Sequence, residues 1–243
     1  MFSIFKRKAP LIADLSWLGV DMHSHLLPGI DDGAPDLETS IGLIKRLQEL
    51  GFYKFICTPH IFKELYPNTL ETIMPALRIV QKYFLDSGID VEISAAAEYM
   101  IDGDFVLGDS LLCLPGKYIL VEMSYLNETP NIEQTIFNLQ IKGYKVILAH
   151  PERYNFYHNA YSRYGRLKDM GCLFQLNLLS VTGYYGKEVE KAASHLLKNG
   201  WYDLAGTDLH HEKHLDALRA SVDSGRLYQS IGQYPFKNKQ IFN

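Results

Sequence analysis

The sequence has few cysteines, no long apolar run and no excess of basic residues. Its three cysteines, Cys57, Cys113 and Cys172, are odd in number and far apart, which argues against a disulfide framework and fits a reducing compartment. No apolar run reaches the roughly 20 residues of a membrane-spanning helix. The formal net charge is −4, so no basic field favours nucleic acid. We therefore expect a cytoplasmic protein without a transmembrane segment or a nucleic-acid partner.

The chain also lacks low-complexity linkers and internal repeats. Its 243 residues suit one large domain, and an α/β barrel commonly has this length. The basic start, with Lys6, Arg7 and Lys8, is followed by a short apolar stretch that Asp14 interrupts and that does not resemble a signal peptide. We predict an N-terminal extension at residues 1–17, which could touch a membrane surface, and a single domain at residues 18–243.

Short apolar runs alternate with helical patterns along the chain. Near-continuous apolar runs are typical of parallel strands buried on both faces, and repeated strand–helix units favour a parallel sheet with helices outside it. Seven such strands predict an α/β fold, a distorted (β/α)7 TIM-like barrel with one unit fewer than the usual eight. The predicted strands are residues 18–22, 54–58, 91–96, 118–122, 145–149, 172–178 and 202–206. The predicted helices are residues 36–50, 69–87, 131–142, 158–170, 187–199 and 211–224.

Two places depart from this pattern. Pro75 lies in the second predicted helix, where proline predicts either an early kink or a later helix start. The segment between Tyr99 and Lys117 contains Gly103, Gly108 and Gly116 and matches a helix least well, so we expect mostly loop there.

Two histidines, His23 and His25, follow the first predicted strand. Because side chains alternate faces along a strand, both imidazoles point the same way. Two carboxylates, Asp31 and Asp32, follow within one short loop. Histidine and aspartate at this density favour a metal site, although a strand end with two exposed histidines and an acidic turn is the alternative for this segment alone.

Nearly every other predicted strand also ends at a potential metal ligand. In barrels the active site lies at the carboxyl ends of the strands, so these residues would meet on one face. Glu98 and Glu122 follow apolar residues, where a carboxylate is costly to bury unless it is paired or metal-bound. The set lacks a thiolate and suits Mn, Fe, Zn or Mg at a multinuclear site. Its members are His23, His25, His60, Glu98, Glu122, His150, Asp208 and His210.

The remaining histidines have simpler explanations. His195 lies in the middle of a predicted helix, and His158 lies in a loop or at a helix start. His211 and His214 neighbour the predicted site, where we expect them to be exposed or to support the ligands. Several of the sixteen tyrosines follow predicted strands, where rim packing and a substrate pocket are both consistent with the sequence.

In this order, the motifs resemble the PHP (polymerase and histidinol phosphatase) superfamily. More narrowly, they resemble its bacterial protein-tyrosine phosphatases associated with capsular and exopolysaccharide synthesis. The resemblance covers about residues 20–214 and implies a PHP-type distorted (β/α)7 catalytic barrel with three metal ions. The motifs are His23-x-His25, Asp31-Asp32-Gly33, Thr58-Pro59-His60, Ala97-Glu98-Tyr99, Glu122, His150-Pro151-Glu152-Arg153 and Asp208-x-His210.

The resemblance also implies how the ligands are shared. The first ion would be bound by His23, His25, Glu98 and Asp208. The second would be bound by Glu98, as a bridge, with Glu122 and His150. The third would be bound by Asp32, His60 and His210, and Asp31 would support the ligands from behind. The implied cofactor is Mn²⁺, with Fe, Zn or Mg as alternatives, and the implied catalytic residues are Arg153, Asp208 and His210.

One family feature is absent. Family members typically carry an arginine after the last Asp-x-His motif, where it is thought to help bind phosphate. Here Lys213, His214 or Arg219 could take that role, and none matches in position. Arg153 is therefore the stronger candidate for binding phosphate.

The resemblance implies a phosphatase that hydrolyses phosphotyrosine on proteins. The expected partner and substrate is the tyrosine-rich tail of a bacterial tyrosine kinase that controls capsular or exopolysaccharide synthesis. Metal ions roughly 3.5–4 Å apart can activate water and clamp phosphoryl oxygens, and a guanidinium binds such oxygens bidentately. Cysteine-based phosphatase chemistry is excluded, because no cysteine has an arginine six positions later. A G-x-S-x-G elbow and a P-loop are also absent from the sequence.

Three alternatives remain open from the sequence. The first is a small-molecule phosphatase of the same fold, of the histidinol-phosphate type. The second is a PHP nuclease, against which the acidic net charge counts. The third is a degenerate barrel that serves as a binding protein.

Overall fold

Parallel strands and α-helices alternate along the chain in a computed structural model that describes residues 12–102, 105, 108 and 111–243. The strands are β1 (Val20–Asp21), β2 (Lys54–Cys57), β3 (His60–Ile61), β4 (Glu92–Ala95), β5 (Glu98–Met100), β6 (Tyr118–Glu122), β7 (Lys145–Ala149), β8 (Leu173–Asn177) and β9 (Leu204–Gly206). The helices are α1 (Leu37–Glu49), α2 (Leu70–Asp86), α3 (Ile132–Ile141), α4 (Ser162–Asp169), α5 (Lys187–Lys198), α6 (Glu212–Asp223), α7 (Arg226–Ile231) and α8 (Asn238–Phe242).

The strands close into a barrel of seven positions. One sheet has the order β1-β2-β4 and the other β3-β5-β6-β7-β8-β9, and all pairings are parallel. After short breaks, β3 continues β2 and β5 continues β4, and the Ala96 amide bonds to the Cys57 carbonyl at 2.8 Å across the breaks. At the other junction, a parallel bridge between Ser24 and Leu209 joins the first strand to the last. The predicted seven-stranded α/β barrel is confirmed.

Most predicted helices lie where periodicity placed them, with three differences. α2 begins at Leu70 and runs through Pro75, so the later start is wrong. α4 begins at Ser162, because residues 151–157 form two short 3-10 helices before it. The C-terminal helices α7 and α8 were not predicted. In α8, the buried Asn238 side chain donates to the Val20 carbonyl at 3.0 Å and pairs with Ala205, so it joins β1 to β9 at the barrel junction.

The two regions predicted to be irregular are only partly described. Residues 1–11 of the predicted N-terminal extension lie outside the described residues, and Leu15, within it, is fully buried and bonded to Leu50 of the domain. In the predicted loop, residues 103, 104, 106, 107, 109 and 110 lie outside the described residues. The described part from Ile101 to Lys117 contains no helix.

The apolar interior leads directly to the candidate site. A small inner cluster includes Ala96 and Leu120, and a larger cluster packs between the strands and the helices. Glu98 and Glu122 each lie two residues beyond these inner residues, so strand alternation directs them to the same side. Both glutamates are buried. Carboxylates therefore replace the apolar side chains at the carboxyl end of the barrel.

Candidate metal centre

The predicted site residues meet in one cavity at the carboxyl ends of the strands. The cavity has a volume of about 550 Å³. It is lined by Asp32, His60, Phe62, Leu65, Tyr66, Met100, Glu122, Ser124, Tyr125, Leu126, His150, Arg153, Asp208, His210, His211 and His214. His23, His25 and Glu98 form its buried base.

Glu98 lies at the centre of this base, among four imidazoles. Its Oε2 atom is 3.2 Å from His23 Nε2, 3.3 Å from His25 Nε2 and 3.2 Å from His60 Nδ1. Its Oε1 atom is 3.1 Å from His150 Nε2. β3 and the segments after β1 and β7 thus bring four imidazoles to a single carboxylate supplied by β5, which is the arrangement expected of a shared ligand.

Three overlapping groups of side chains could each hold a metal ion. The first is His23, His25, Glu98 and Asp208; the second is His60, Glu98 and Glu122; the third is His25, Asp32, His60 and His210. Within each group the candidate ligand atoms lie within 4.8 Å of one another. The first group is the predicted one. Among the described residues, the second group contains His60, whereas the resemblance implied His150 for the second ion. The third group contains the implied Asp32, His60 and His210 and also His25.

The chemistry of the donor set fits metal ions. Among the residues that the structure describes, four buried atoms that point into the site find no hydrogen-bond partner: His23 Nε2, His25 Nε2, His60 Nδ1 and Glu98 Oε2. A buried polar atom without a partner is costly, and unpaired lone pairs that converge on one point are what a cation requires. Histidine and carboxylate ligands without thiolate suit Mn, Fe or Zn.

Acceptors behind three of the histidines fix which ring nitrogen faces the site. His23 Nδ1 lies 2.8 Å from Gln175 Oε1, His25 Nδ1 lies 2.8 Å from Asp31 Oδ2, and His210 Nδ1 lies 2.9 Å from the Asp208 carbonyl. Each Nδ1–H donates to its acceptor, so each Nε2 is the ring nitrogen that faces the cavity and is left to bind a proton or a metal ion. The Asp31 carboxylate also accepts from the amides of Gly33 and His60, and it therefore orders the loop from behind the ligands.

The buried charged groups of the site shift one another's pKa values. Burial alone would lower the pKa of His23, but Glu98 and Asp208 raise it to about 9. Burial alone would raise the pKa of Asp208, but His23 and its neighbours hold it well below its usual range. At neutral pH the cluster therefore pairs ionised carboxylates with protonated imidazole, and a metal ion would take the place of the proton.

Arg153 lies between two aromatic rings beside Asp208. Its guanidinium carbon is 4.8 Å from the centroid of Tyr125 and 4.3 Å from that of Tyr185, and its Nη1 donates to Asp208 Oδ2 at 2.6 Å. Asn177 Nδ2 donates to the same oxygen at 2.8 Å. These contacts leave Asp208 Oδ1 facing the Nε2 atoms of His23 and His25 at 3.4 Å. They also fix the plane of the Arg153 guanidinium, which lines the cavity.

Two site residues have a backbone conformation that is rare outside glycine. His150 has φ of 32° and Asp208 has φ of 49°, and each lies just beyond the end of its strand. Such conformations cost of order 1–3 kcal/mol and persist where surrounding contacts impose them. Here they turn the chain sharply after β7 and β9.

The structure separates the three candidates for the missing arginine. Arg219 Nη2 donates to Glu49 Oε2 at 2.6 Å, which joins α6 to α1 away from the cavity. Lys213 is exposed and does not line the cavity. His214 does line it and packs against His211, with ring centroids 3.9 Å apart. His214 thus occupies the wall nearest the final Asp-x-His motif.

Sequence reasoning missed several residues that shape the site. Gln175 holds His23, Asn177 holds Asp208, and Tyr125 and Tyr185 flank Arg153. A signal for the first two was present: Gln175 and Asn177 are polar and alternate within an otherwise apolar strand. Both tyrosines follow predicted strands, where the sequence left rim packing and a substrate pocket open, but their stacking on Arg153 depends on where Arg153 lies.

The fold and the site define a parallel α/β barrel with a candidate metal site of histidine and carboxylate side chains. A family model described as capsular polysaccharide synthesis, CpsB/CapC, matches residues 19–220. The chain belongs to this family. The relationship inferred from the sequence motifs is thereby confirmed.

Relatives in both sequence and structure agree with this assignment. The chain is 28% identical over 198 residues to tyrosine-protein phosphatase YwqE of Bacillus subtilis (strain 168), covering 80% of this chain and 78% of that protein. It is 25% identical over 200 residues to tyrosine-protein phosphatase CpsB of Streptococcus agalactiae serotype V, covering 79% and 82%.

Solved structures extend the comparison. One chain from the crystal structures of YwqE from Bacillus subtilis and CpsB from Streptococcus pneumoniae, described as unique metal-dependent tyrosine phosphatases, matches with a TM-score of 0.78 and 26% identity. That match covers 91% of both chains. The lactonase Lmo2620 from Listeria monocytogenes matches with a TM-score of 0.53 and 12% identity, over 93% of this chain and 92% of that one, and shares the barrel fold. Among the described residues, no helix is long and apolar enough to cross a membrane.

Proposed function

We propose that this chain is a metal-dependent protein-tyrosine phosphatase. The observation that carries the proposal is the convergence of unpaired ligand atoms on Glu98, with the guanidinium of Arg153 beside them. Relatives that match along most of the chain are tyrosine-protein phosphatases. A complete ligand set also counts against a degenerate barrel that only binds.

The metal ligands follow from the three groups of side chains. His23, His25, Glu98 and Asp208 would hold one ion, Glu98 and Glu122 with His60 or His150 a second, and Asp32, His60 and His210 a third. We propose Mn²⁺ as the native ion, consistent with imidazole and carboxylate ligands. When bound, the ions supply Lewis acidity that activates water and neutralises the charge on phosphoryl oxygens.

The guanidinium of Arg153 is positioned to bind the phosphate of the substrate. Arg153 is held by Asp208 and by two tyrosine rings, so its remaining N–H groups meet a phosphoryl group without reorganisation. Asp208 orients Arg153 with one oxygen and serves the metal centre with the other. His210, which stacks on His25 at a centroid distance of 3.9 Å, completes the third group and faces the cavity.

The cavity suits an aryl phosphate. Its walls include Phe62, Tyr66 and Tyr125 as well as the ligands, and these side chains favour an aromatic ring over a polar alcohol. The tyrosine phenolate has a pKa of about 10, so it leaves with less help from a general acid than an alkoxide needs. The proposed substrate is the phosphotyrosine-rich tail of a bacterial tyrosine kinase that controls capsular or exopolysaccharide synthesis. We place the protein in the cytoplasm, where its unpaired cysteines remain reduced.

Substrate hydrolysis with and without metal tests this function. We expect the purified protein to release phosphate from a phosphotyrosine peptide with Mn²⁺, to lose that activity in EDTA, and to turn over histidinol phosphate much more slowly. Glu98→Gln should reduce Mn²⁺ affinity measured by calorimetry more than 10-fold. Glu92→Gln, an exposed substitution on β4, is the matched control. Activity that persists in EDTA, or a preference for histidinol phosphate or single-stranded DNA, would overturn the proposal.

A further inference from the structure

The cavity above the metal ligands has two chemically different walls. The loops after β3 and β6, together with the end of β5, contribute Phe62, Leu65, Tyr66, Met100 and Leu126. The segments after β7 and β9 contribute Arg153, His210, His211 and His214. Since β3, β5 and β6 are neighbours in the sheet, these apolar residues lie on the same side of the cavity. A phosphate bound at Arg153 would leave the rest of its substrate facing that surface.

The first loop displays a leucine at its tip. Phe62 and Tyr66 pair across the loop, with amide-to-carbonyl distances of 2.9 and 2.7 Å. The Tyr66 ring stacks on His60, with centroids 5.4 Å apart and planes inclined by 15°. Leu65, between the paired residues, is 65% exposed. The loop is thus anchored on a candidate ligand while its leucine remains in solvent.

The second loop, which follows β6, also carries an exposed leucine next to an anchored aromatic residue, and it lies beside Arg153. Tyr125 stacks on His150 at a centroid distance of 5.8 Å and covers one face of the Arg153 guanidinium. The Leu126 amide donates to Ser124 Oγ at 3.2 Å, which fixes the turn. Leu126 is 88% exposed.

The geometry points to Leu65 and Leu126 as contacts for apolar side chains that flank the phosphotyrosine of a peptide substrate. This inference rests on the proposed phosphatase function and adds a substrate preference to it. Single exposed leucines are common on protein surfaces and need no partner. These two differ because both border the same cavity and continue its apolar wall. Anchored loops also lose little conformational entropy when a ligand binds.

The position of the leucines indicates which part of the substrate they contact. The phosphate belongs at Arg153 and the ligands, and the phenyl ring lies above them, against buried or half-buried side chains such as Tyr66 and Met100. Leu65 and Leu126 are more exposed and therefore lie farther out, at the mouth of the cavity. Residues next to the phosphotyrosine pass this mouth, and leucine contacts favour apolar ones.

Matched peptides test the preference. Two phosphotyrosine peptides of equal length and charge carry leucine or serine on both sides of the phosphotyrosine, and phenyl phosphate serves as a reference without flanks. For the wild type with Mn²⁺, we expect kcat/KM to be about 5- to 10-fold higher for the leucine peptide. Leu65→Ser and Leu126→Ser should each reduce this ratio, and the double variant should bring it close to one. Leu85→Ser, at an 80% exposed leucine of α2 outside the cavity lining, should keep the wild-type ratio.

The outcomes separate this inference from the function on which it rests. Equal kcat/KM for both peptides, or a preference that survives in the double variant, would overturn the inference while phenyl phosphate hydrolysis upholds the function. Absence of phenyl phosphate hydrolysis in the wild type would overturn both. A ratio that falls equally in Leu85→Ser would assign the effect to general surface polarity and would also overturn the inference.

Discussion

At the scale of single residues, several candidate ligands are held by a polar partner on the side away from the cavity. Gln175 and Asp31 set the ring orientation of His23 and His25, and Arg153 with Asn177 holds one oxygen of Asp208. Partners of this kind orient ligands and raise their basicity. The ligands themselves were identified in the sequence because they are chemically distinctive and end strands. Most of their partners were not identified, because amide and aromatic side chains occur in many structural roles and their sequence positions do not distinguish these roles.

Arg153 and Tyr185 offer a test at this scale. Lysine lacks the planar fork that stacks and donates in two directions, so Arg153→Lys should reduce kcat/KM for phenyl phosphate by roughly 100-fold. Tyr185→Leu removes one stacking ring and should raise KM by about 10-fold with a smaller change in kcat, because the guanidinium is less well held. Steady-state kinetics measure both.

Tyr185→Phe is the conservative control for this position. It keeps the ring over Arg153 and loses only the hydroxyl that accepts from Asn177 at 3.2 Å. We expect its KM to stay within about threefold of the wild type. A KM for Tyr185→Phe as high as that of Tyr185→Leu would show that the hydroxyl, and not the stacked ring, positions Arg153.

At the scale of secondary-structure elements, the sequence predicted the strands and the longer helices, which have a periodic apolar pattern, and missed the short C-terminal helices α7 and α8. Seven strands and six helices lie near their predicted positions because buried faces impose a repeating pattern. α8 has five residues, too few to show a period, and its main role rests on one buried amide. The carboxyl ends of the strands were the right place for the site, since the barrel directs them to one face.

The buried amide of α8 gives a stability prediction. Asn238 bonds to the backbone of Val20 and Ala205, so Asn238→Ala leaves buried groups on β1 and β9 without partners. We expect the free energy of unfolding to fall by about 3 kcal/mol, as measured by urea denaturation. Asn199→Ala, at the exposed end of α5, should cost less than about 1 kcal/mol. Equal losses in both variants would contradict a special role for the junction.

A glycine of β9 sets the spacing between two strands that carry ligands. A Cβ atom at Gly206 would lie 2.7 Å from the Cβ of His23 and 3.2 Å from Gln175 Nε2. Gly206→Ala should therefore destabilise the fold by about 2 kcal/mol and weaken Mn²⁺ binding, because His23 must move. Gly42→Ala is the matched control: apart from its own helix backbone and chain neighbours, no atom of the described residues lies within 4 Å of its added Cβ. Alanine in α1 should stabilise by roughly 0.5–1 kcal/mol. Unchanged Mn²⁺ affinity in Gly206→Ala would refute the argument.

At the scale of the whole molecule, the buried charged groups of the site make the stability of the metal-free protein depend on pH. The pKa of His23 is raised to about 9, against 6.5 when unperturbed. A raised histidine pKa contributes stability that is fully present below about pH 6.5 and is lost as the pH rises toward 9. In EDTA, we expect the midpoint of thermal unfolding to fall by several degrees between pH 6.5 and pH 9.

Metal should reverse this trend. Mn²⁺ takes the place of the proton on His23, so its affinity should increase as the pH rises from 6.5 to 9, and binding should release protons. Thermal unfolding in saturating Mn²⁺ and calorimetry in two buffers of different ionisation enthalpy measure these effects. A midpoint that rises with pH in EDTA would contradict the assignment of protonated His23 to the metal-free protein.

The sequence predicted more of the barrel and its ligands than of the cavity walls. Ligand types at strand ends depend only on local order, so they can be recognised without the fold. The sharing of His60 between two groups, the stacking around Arg153 and the exposed leucines at the cavity mouth depend on the relative positions of different loops. No local pattern records such positions.

The bridge between Ser24 and Leu209 has a consequence for how the protein is made. His23 and His25 are translated long before Asp208, yet the first group of ligands contains all three. A nascent chain that stops before β9 cannot assemble the first group, however well its earlier strands have folded. The first group of ligands therefore forms only after β9 has been translated and has joined the first strand, whereas the second group lies entirely in earlier segments.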